Sequence, residues 1–503
     1  MANEARHGMV RRLAGLVAMT GALGACAGAG HRAPDLTLPA HYDSGGETAL
    51  TAIELDRWWL IFRDPALNAL EDEAFRNGPD ARTAAARVME AKATRDSQVA
   101  QTLPTGNIAG NASHQHAYNI GPPTNSLFPV GGVTDSETVN FNVSWELDLF
   151  GRLAQARKVA KADLAAARFN VEGSRASLAA SVADNYFQAA GLAIQIADAR
   201  ETVRIQSELE SVAHRKAVLG LGAAADADRV AGDLAQAQAQ AEDLESQLHA
   251  AQRQILILVG RGTAPVASLP VQALASDAPP VPAAVPGDLL QRRPDVREAE
   301  AHLRSEAGTD RLRHLAVFPT FTLLPGLGAS RTVSPGIAYI PPTTLMPATL
   351  IPQQQTSDLG FWTLGAGVTV PVLDIPKLLY DAKAEDARTE QAVIAYEKTV
   401  QTAYGDAENA LVNLAAGKRA VAILSDGEAR ARRASDAAAT RYRLGFDDLT
   451  SALSAETAWR LTRAALTAER VQALRRAVQT YKALGGGWAY AAASAPRGTA
   501  RTP

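Results

Sequence analysis

Disulfides, aromatic bulk and a charge excess are all scarce in this chain, and each scarcity excludes a class. Of 503 residues one, Cys26, is a cysteine, so no internal disulfide framework can form. Aromatics make up 5% of the sequence against 47% for the inclusive hydrophobic set, and alanine dominates that set. Alanine-rich, aromatic-poor sequences favour long, closely packed helices over a bulky mixed core. Lysine and arginine total 50 against 53 acids, a net charge of -3 that leaves no basic surplus for nucleic acid. Past the amino terminus no stretch approaches the roughly 20 apolar residues of a membrane helix. If the mature chain crosses a bilayer, it must do so as a closed β-barrel, in which every backbone group finds a partner.

Catalytic patterns are missing too. The sequence has no Gly-x-Ser-x-Gly elbow, no Walker loop and no His-Glu-x-x-His zinc motif, so neither an enzyme nor a cofactor is expected. Gly220-Leu-Gly222 loosely mimics a dinucleotide loop but lacks a preceding strand, and reads as the turn of a helical hairpin. His114 and His116 lie two apart in a β-like run and so share a face. A pair of histidines alone falls short of a metal site, and no metal is expected there.

What is present begins with a leader. Arg6, Arg11 and Arg12 precede an apolar stretch from Leu13 to Ala22 and then Leu23-Gly24-Ala25-Cys26, a secretory layout over 1–25. Leu-Gly-Ala-Cys resembles the lipobox of bacterial lipoproteins. Cys26 is therefore the expected lipidation site, opening a lipidated segment over 26–57. Ala27 follows it, and no aspartate stands there to suggest inner-membrane retention.

The chain is written twice. Pro79-Asp80 opens a helical run ending at Leu103-Pro104-Thr105, and Pro294-Asp295 opens another ending at Phe318-Pro319-Thr320, an offset of 215 positions. Glu146-Leu147-Asp148 and Val372-Leu373-Asp374 each close a β-like run and open a long helix. The later offset, near 225, places the extra residues in a loop between Thr332 and Asp358. Each half then reads in one order. A Pro-led helix (Pro79–Gln101; Pro294–Ala316) precedes two β-like segments (Gly106–Tyr118 and Glu137–Leu149; Thr320–Arg331 and Gly360–Leu373). A helical stretch follows (Arg152–Leu219; Lys377–Leu444), then a glycine break and a returning helix (Asp226–Val259; Asp448–Leu484).

About 65 helical residues at 1.5 Å each extend about 100 Å, more than an ordinary globular domain needs. In the first returning helix Leu234, Ala237, Ala241, Leu244, Leu248, Ala251, Ile255 and Leu258 recur at steps of three and four, a coiled-coil seam. The expected repeats are 58–262 and 288–484, joined by a Pro/Ala-rich connector at 263–287 and followed by a tail at 485–503. Four strands leave two unpaired edges, so closure requires several copies. Three copies give twelve strands, though other multiples also close.

Four sequence blocks carry a resemblance. They are Trp58-Trp59 with Phe62 and Asp64-Pro65, Trp145-Glu-Leu-Asp-Leu-Phe-Gly-Arg152, Leu289-Leu-Gln-Arg-Arg-Pro-Asp295, and Tyr481-Lys-Ala-Leu-Gly-Gly-Gly-Trp488. With them the chain resembles the TolC-type outer-membrane factors, in the lipoprotein branch serving resistance-nodulation-division efflux systems. The resemblance implies a fold of mixed α and β. That fold is a trimeric membrane β-barrel, four strands per chain and twelve in all, continuing into a long periplasmic α-helical coiled-coil barrel. It implies a homotrimer in outer-membrane lipid, coupled through a periplasmic adaptor to an inner-membrane resistance-nodulation-division pump. It further implies a periplasmic gate, with Asp226 and Tyr442 as a latch, Asp447 and Asp448 in rings of charge, and Arg441 and Arg443 as possible pairing partners. The expected function is passive conduction of small molecules out of the cell. The exit duct of a type I protein secretion system and a soluble or surface coiled-coil protein are the alternatives. The family's Phe-Asp-Gly-Gly-Arg after the second strand pair is here Leu373-Asp-Ile-Pro-Lys377.

Overall fold

The computed structural model describes residues 32–43, 48–49, 55–118, 120, 132–271, 277–280, 282–283, 286–340, 349–444, 446–447 and 449–487. Its main helices are α1 (Pro65–Asn77), α2 (Pro79–Ala100), α3 (Arg152–Val218), α4 (Ala224–Leu258), α5 (Pro294–Leu315), α6 (Ile375–Arg443) and α7 (Leu449–Ala483). The long strands are β1 (Thr105–Ala117), β2 (Gly132–Leu147), β3 (Thr320–Ile340) and β4 (Thr349–Thr369). Two-residue pieces, Thr48–Ala49 and Pro282–Ala283, pair in parallel. No helix among the described residues is long and apolar enough to cross a membrane.

The chain divides into two compact units. One gathers Met1–Arg32, Ala93–Asp163 and Arg304–Gln391; the other gathers Ala33–Lys92, Leu164–Leu303 and Ala392–Pro503. Both sequence repeats contribute to both units.

The first unit holds a four-stranded antiparallel sheet in the order β1-β2-β3-β4. The repeats meet at its centre, where β2 pairs with β3. That ladder lapses between the pairs Asn142–Gly326 and Trp145–Leu323. Pro325 lies in the gap, and a proline nitrogen has no hydrogen to donate. The loop expected between Thr332 and Asp358 is instead largely strand. Thr332 to Ile340 pair in register with Ser357 to Thr349, leaving only 341–348 outside the described residues. The glycines and prolines there suggested a loop, but a hairpin partner directly opposite satisfies the backbone despite Pro335 and Pro352. Likewise β2 starts five residues before the expected Glu137.

The strand-to-helix turn after β2 is capped by its own carboxylate. Asp148 accepts the backbone N–H groups of Leu153 (3.0 Å) and Ala154 (2.8 Å). Arg152 Nε donates to Glu146 at 3.0 Å. Gly151 takes φ +78°, a left-handed conformation that glycine adopts without a Cβ clash.

The second unit is packed helix. The α4 seam came out as its spacing foretold: Ala237, Ala241, Ala251, Ile255 and Leu258 are buried, Leu234, Leu244 and Leu248 half-buried, and Gln236, Gln238 and Gln240 exposed. The conspicuous Trp58 block builds an aromatic knot. Trp58 is fully buried and stacks on Tyr481, with centroids 5.9 Å apart and planes 11° from parallel. Phe62 lies 4.8 Å from Phe187. Asp64 caps α1 through Ala66 N–H (2.8 Å), Pro65 opens the helix, and Tyr186 donates its hydroxyl to the other Asp64 oxygen at 2.5 Å. The Leu289–Asp295 block is an ion-paired helix start. Arg292 reaches Asp56 at 3.0 Å, and Arg293 binds Asp295 (2.6 Å) and Asp406 (3.3 Å). Burial opposes the charge of Arg293, but the two aspartates outweigh it and raise its pKa.

Candidate functional site: sheet faces, a polar cavity and the hairpin tips

Residues paired across an antiparallel sheet share a face, so the register sorts its two surfaces. One row runs Ile108–Phe141–Leu327–Trp362 through all four strands, and another runs Trp145–Leu323–Ala366. Apart from the half-buried Leu323 these side chains are exposed: Ile108 by 75%, Leu327 by 60% and Trp362 by 79%. The opposite face carries Asn107–Asn142–Gly326–Thr363 and Ser113–Ser136–Thr332–Ser357. Both faces are exposed, and the second also carries Leu324, Leu359 and Phe361, but the long apolar rows are confined to the first, the pattern of a sheet with one oil-facing and one water-facing surface.

The apolar face ends in charge. Glu137, Arg331 and Asp358 form one row, with Arg331 Nε 3.8 Å from Asp358. In the next row His114 Nδ1 meets Asp135 at 2.5 Å. His116 shares this face, as its spacing required, but its described ring neighbour is Tyr118. The His114–Asp135 pair was not legible in the sequence, because only the hairpin register brings those positions together.

The second unit encloses an open polar cavity of about 1030 Å³. Its walls carry charges that bridge helices: Arg475 on α7 holds Asp184 on α3 through contacts of 2.8 and 3.0 Å. Arg293, Asp295 and Asp406 line the same space. Paired charges and amides hold water well and offer no nucleophile–base arrangement.

The hairpin tips lie at two turns. The first runs from α3 through Gly220, at φ +68°, into α4, with Leu221 N–H closing on Lys216 O at 2.8 Å. Gly220-Leu-Gly222 is thus a helix-hairpin turn and no phosphate loop. Asp226 sits exposed in the first turn of α4. At the second tip Arg441 clasps Asp447 through contacts of 2.7 and 3.0 Å. That hydrogen-bonded guanidinium lowers the Asp447 pKa and raises that of Arg441. The pair joins residues of one chain, a partnership the sequence reading had not assigned, although a spacing of six across a tight turn makes it accessible. The side chains of Tyr442 and Arg443, and all of Asp448, lie outside the described residues, as does Cys26. Val218, Leu219, Leu221, Leu444 and Phe446 crown the tips with exposed apolar surface.

Two segments, residues 70–261 and 285–486, match the family model described as outer membrane efflux protein. The chain belongs to the outer membrane efflux protein family. The two matches reflect the internal duplication, and efflux across the outer membrane is the function. The pyoverdine export outer membrane protein OpmQ of Pseudomonas putida is 28% identical over 90% of this chain and 92% of its own length. The toluene efflux pump outer membrane protein TtgC of Pseudomonas putida is 25% identical over 91% and 92%. The fold is shared with solved channels of 18–23% identity. The outer-membrane channel OprN gives a TM-score of 0.74 at 23% identity, covering 91% of this chain and 99% of that one. The Campylobacter jejuni CmeC outer membrane channel gives 0.78 at 18%, covering 92% and 95%.

Proposed function

We propose that three copies of this chain close a twelve-stranded barrel and serve as the passive exit duct of a tripartite pump. In this reading small molecules reach the duct from a periplasmic adaptor and an inner-membrane resistance-nodulation-division transporter. The observation that carries the reading is the four-stranded sheet itself, whose apolar face is exposed and whose β1 and β4 each pair on one side only among the described residues. Edge strands left unpaired in a bilayer are untenable, and further copies supply the missing neighbours. The band from the Glu137–Arg331–Asp358 row to Leu147–Phe321–Val368 is ten residues tall. At about 3.3 Å per residue and a tilt of about 45° it stands about 23 Å high, close to the apolar band of outer-membrane barrels. The exposed apolar tips offer an adaptor a docking surface, and the family matches at 70–261 and 285–486 support repeats at 58–262 and 288–484.

Lipid anchoring at Cys26 is part of this reading, and reach is compatible with it. Arg32 contacts Glu390 at 3.4 Å, fifteen residues into α6, about 22 Å from its start. Six residues of chain from Cys26 to Arg32 extend up to about 20 Å, enough for an acyl group to reach the level where β4 ends. Cys26→Ser should abolish labelling by a palmitate analogue, and persistent labelling would reject the anchor. The function itself is tested by deleting the gene in its own host. Accumulation of amphipathic dyes and antibiotics should rise and return to normal on complementation. Unaltered accumulation across such a panel would overturn the reading.

A further inference from the structure

Formal charge is nearly missing from the strand-forming parts of the chain. Charged residues make up 20% of the whole sequence, yet Thr105 to Trp145 holds only Asp135 and Glu137, and Thr320 to Leu373 only Arg331 and Asp358. The register decides where these four point, because residues two apart on a strand, and residues paired across strands, share a face. Glu137, Arg331 and Asp358 form one row, and Asp135 stands two residues on, between His114 and Val333. All four therefore lie on the face of Phe141 and Leu327, beyond its apolar rows.

The opposite face carries none of them. Amides and hydroxyls dominate it, as in the row Gln115–Thr134–Ser334–Gln355. Its apolar members are uncharged as well, and the Phe361 ring lies against Gly328, where a Cβ would stand 2.7 Å from it. The one carboxylate on this face among the described residues of the sheet is Glu146, at the inner end opposite Thr322. Arg152 Nε neutralises it at 3.0 Å.

We propose that this face lines an electrically neutral, hydrogen-bonding lumen that passes polar solutes of either charge sign, and that any charge selectivity of the protein arises outside the four-stranded sheet. The proposal rests on the reading of the sheet as barrel wall, polar face inward. Rings of fixed charge on a pore wall concentrate one sign of ion and repel the other. Repeating an uncharged row around an axis builds no such ring. The charges on the outer face project away from the lumen, and salt screens exposed charges over about 8 Å under physiological conditions. Amides donate and accept, and so do hydroxyls, so the wall can replace water around an anion, a cation or a neutral solute.

The test reads the local potential at a thiol on this face. Full-length Ser136→Cys, in a Cys26→Ser background and in intact membranes, is treated with a cationic and an anionic methanethiosulfonate of similar size. Both should react, with a rate ratio within about threefold of that for a free small thiol. A ratio displaced further in either direction overturns the proposal. Adding Thr332→Asp, the cross-strand neighbour, places a unit charge about 5 Å away and should shift the ratio towards the cation at least about threefold. An unmoved ratio also overturns the proposal, since missing charge would not be what leaves the lumen unselective. If Ser136→Cys fails to assemble, Asn142→Cys replaces it, with Asn107→Asp as the charged neighbour. Ile108→Cys, on the apolar face, should react with neither reagent. If it reacts with both while the polar-face thiols stay silent, the barrel reading falls and this proposal with it; a displaced ratio at a reactive thiol defeats neutrality alone.

Discussion

The two repeats reach the same strand-to-helix transition by different chemistry. After β2, Gly151 turns the chain in the left-handed region, Asp148 caps α3, and Arg152 ties back to Glu146. After β4 there is no glycine. Leu378 N–H bonds to Asp374 O at 2.9 Å, and Pro376 sits in the first turn of α6, where its missing hydrogen is not needed. The outcome is nearly the same: α3 has 67 residues and α6 has 69, α4 and α7 have 35 each, and α2 and α5 have 22 each. Element length is set by what each helix packs against, so duplication preserved it. The side chains at each turn were free to diverge as long as the helix began in the same place.

The aromatic content is just as unevenly shared between the two cores of the second unit. One centres on Trp58, Phe187 and Tyr481; the smaller one joins Tyr42, Val296, Tyr396 and Leu411. Trp58→Ala should therefore have the largest effect of any single change considered, about 3–5 kcal/mol in unfolding measurements. A loss under about 1 kcal/mol would mean the knot is not the stabilising centre.

The tips differ too, since the described second tip is held by Arg441–Asp447 and the first by its glycine turn. We expect Asp226→Ala with Tyr442→Phe to raise single-channel conductance in planar bilayers, if each latch bond is worth about 1.5–3 kcal/mol and is lost in every copy. Asp447→Ala should alter cation selectivity more than conductance, because it exposes the Arg441 charge. Equal conductance in wild type and the double variant would place the closing contacts elsewhere.

The turn comparison has a direct test. Asp148→Ala removes a cap and should cost about 1 kcal/mol, whereas exposed Asp374→Ala should cost less than half of that. Equal losses would show that the two turns are chemically equivalent after all. A pH-dependent effect concerns Glu71 on α1, fully buried with no hydrogen-bond partner for either oxygen. Burial, helped by Asp72, raises its pKa well above the usual 4.5, so the folded state prefers the neutral acid. Its contribution is complete below 4.5 and declines as pH rises towards the raised folded value. Glu71→Gln should thus lose less stability than wild type between pH 5 and 9, as thermal unfolding would record. Parallel curves would mean that Glu71 finds a partner.

Repeats, helix limits and the α4 seam were legible in the sequence because each rests on local periodicity or on proline and glycine punctuation. Pro79 and Pro294 marked helix starts to the residue. The outer halves of β3 and β4 were not legible, because strand extension there depends on a partner across the hairpin. The cluster of Asp310, His314 and Asp386, which lie within 4.8 Å of one another, was hidden for a related reason: a single Asp–His pair one turn apart is commonplace, and its third member lies 72 residues on. The compact units were equally hidden, since both draw on both repeats.

Closure of three open sheets into one barrel is the central claim, and crosslinking between sheet edges tests it most directly. Cysteines at Asn111 on β1 and Ser357 on β4, in a Cys26→Ser background and bridged by a short bismaleimide in intact membranes, sample both edges of every copy. Covalent species of two and three chains should form and then stop at three. A ladder extending beyond three, or chains that remain single while both cysteines react with monofunctional maleimide, would contradict a twelve-stranded trimer.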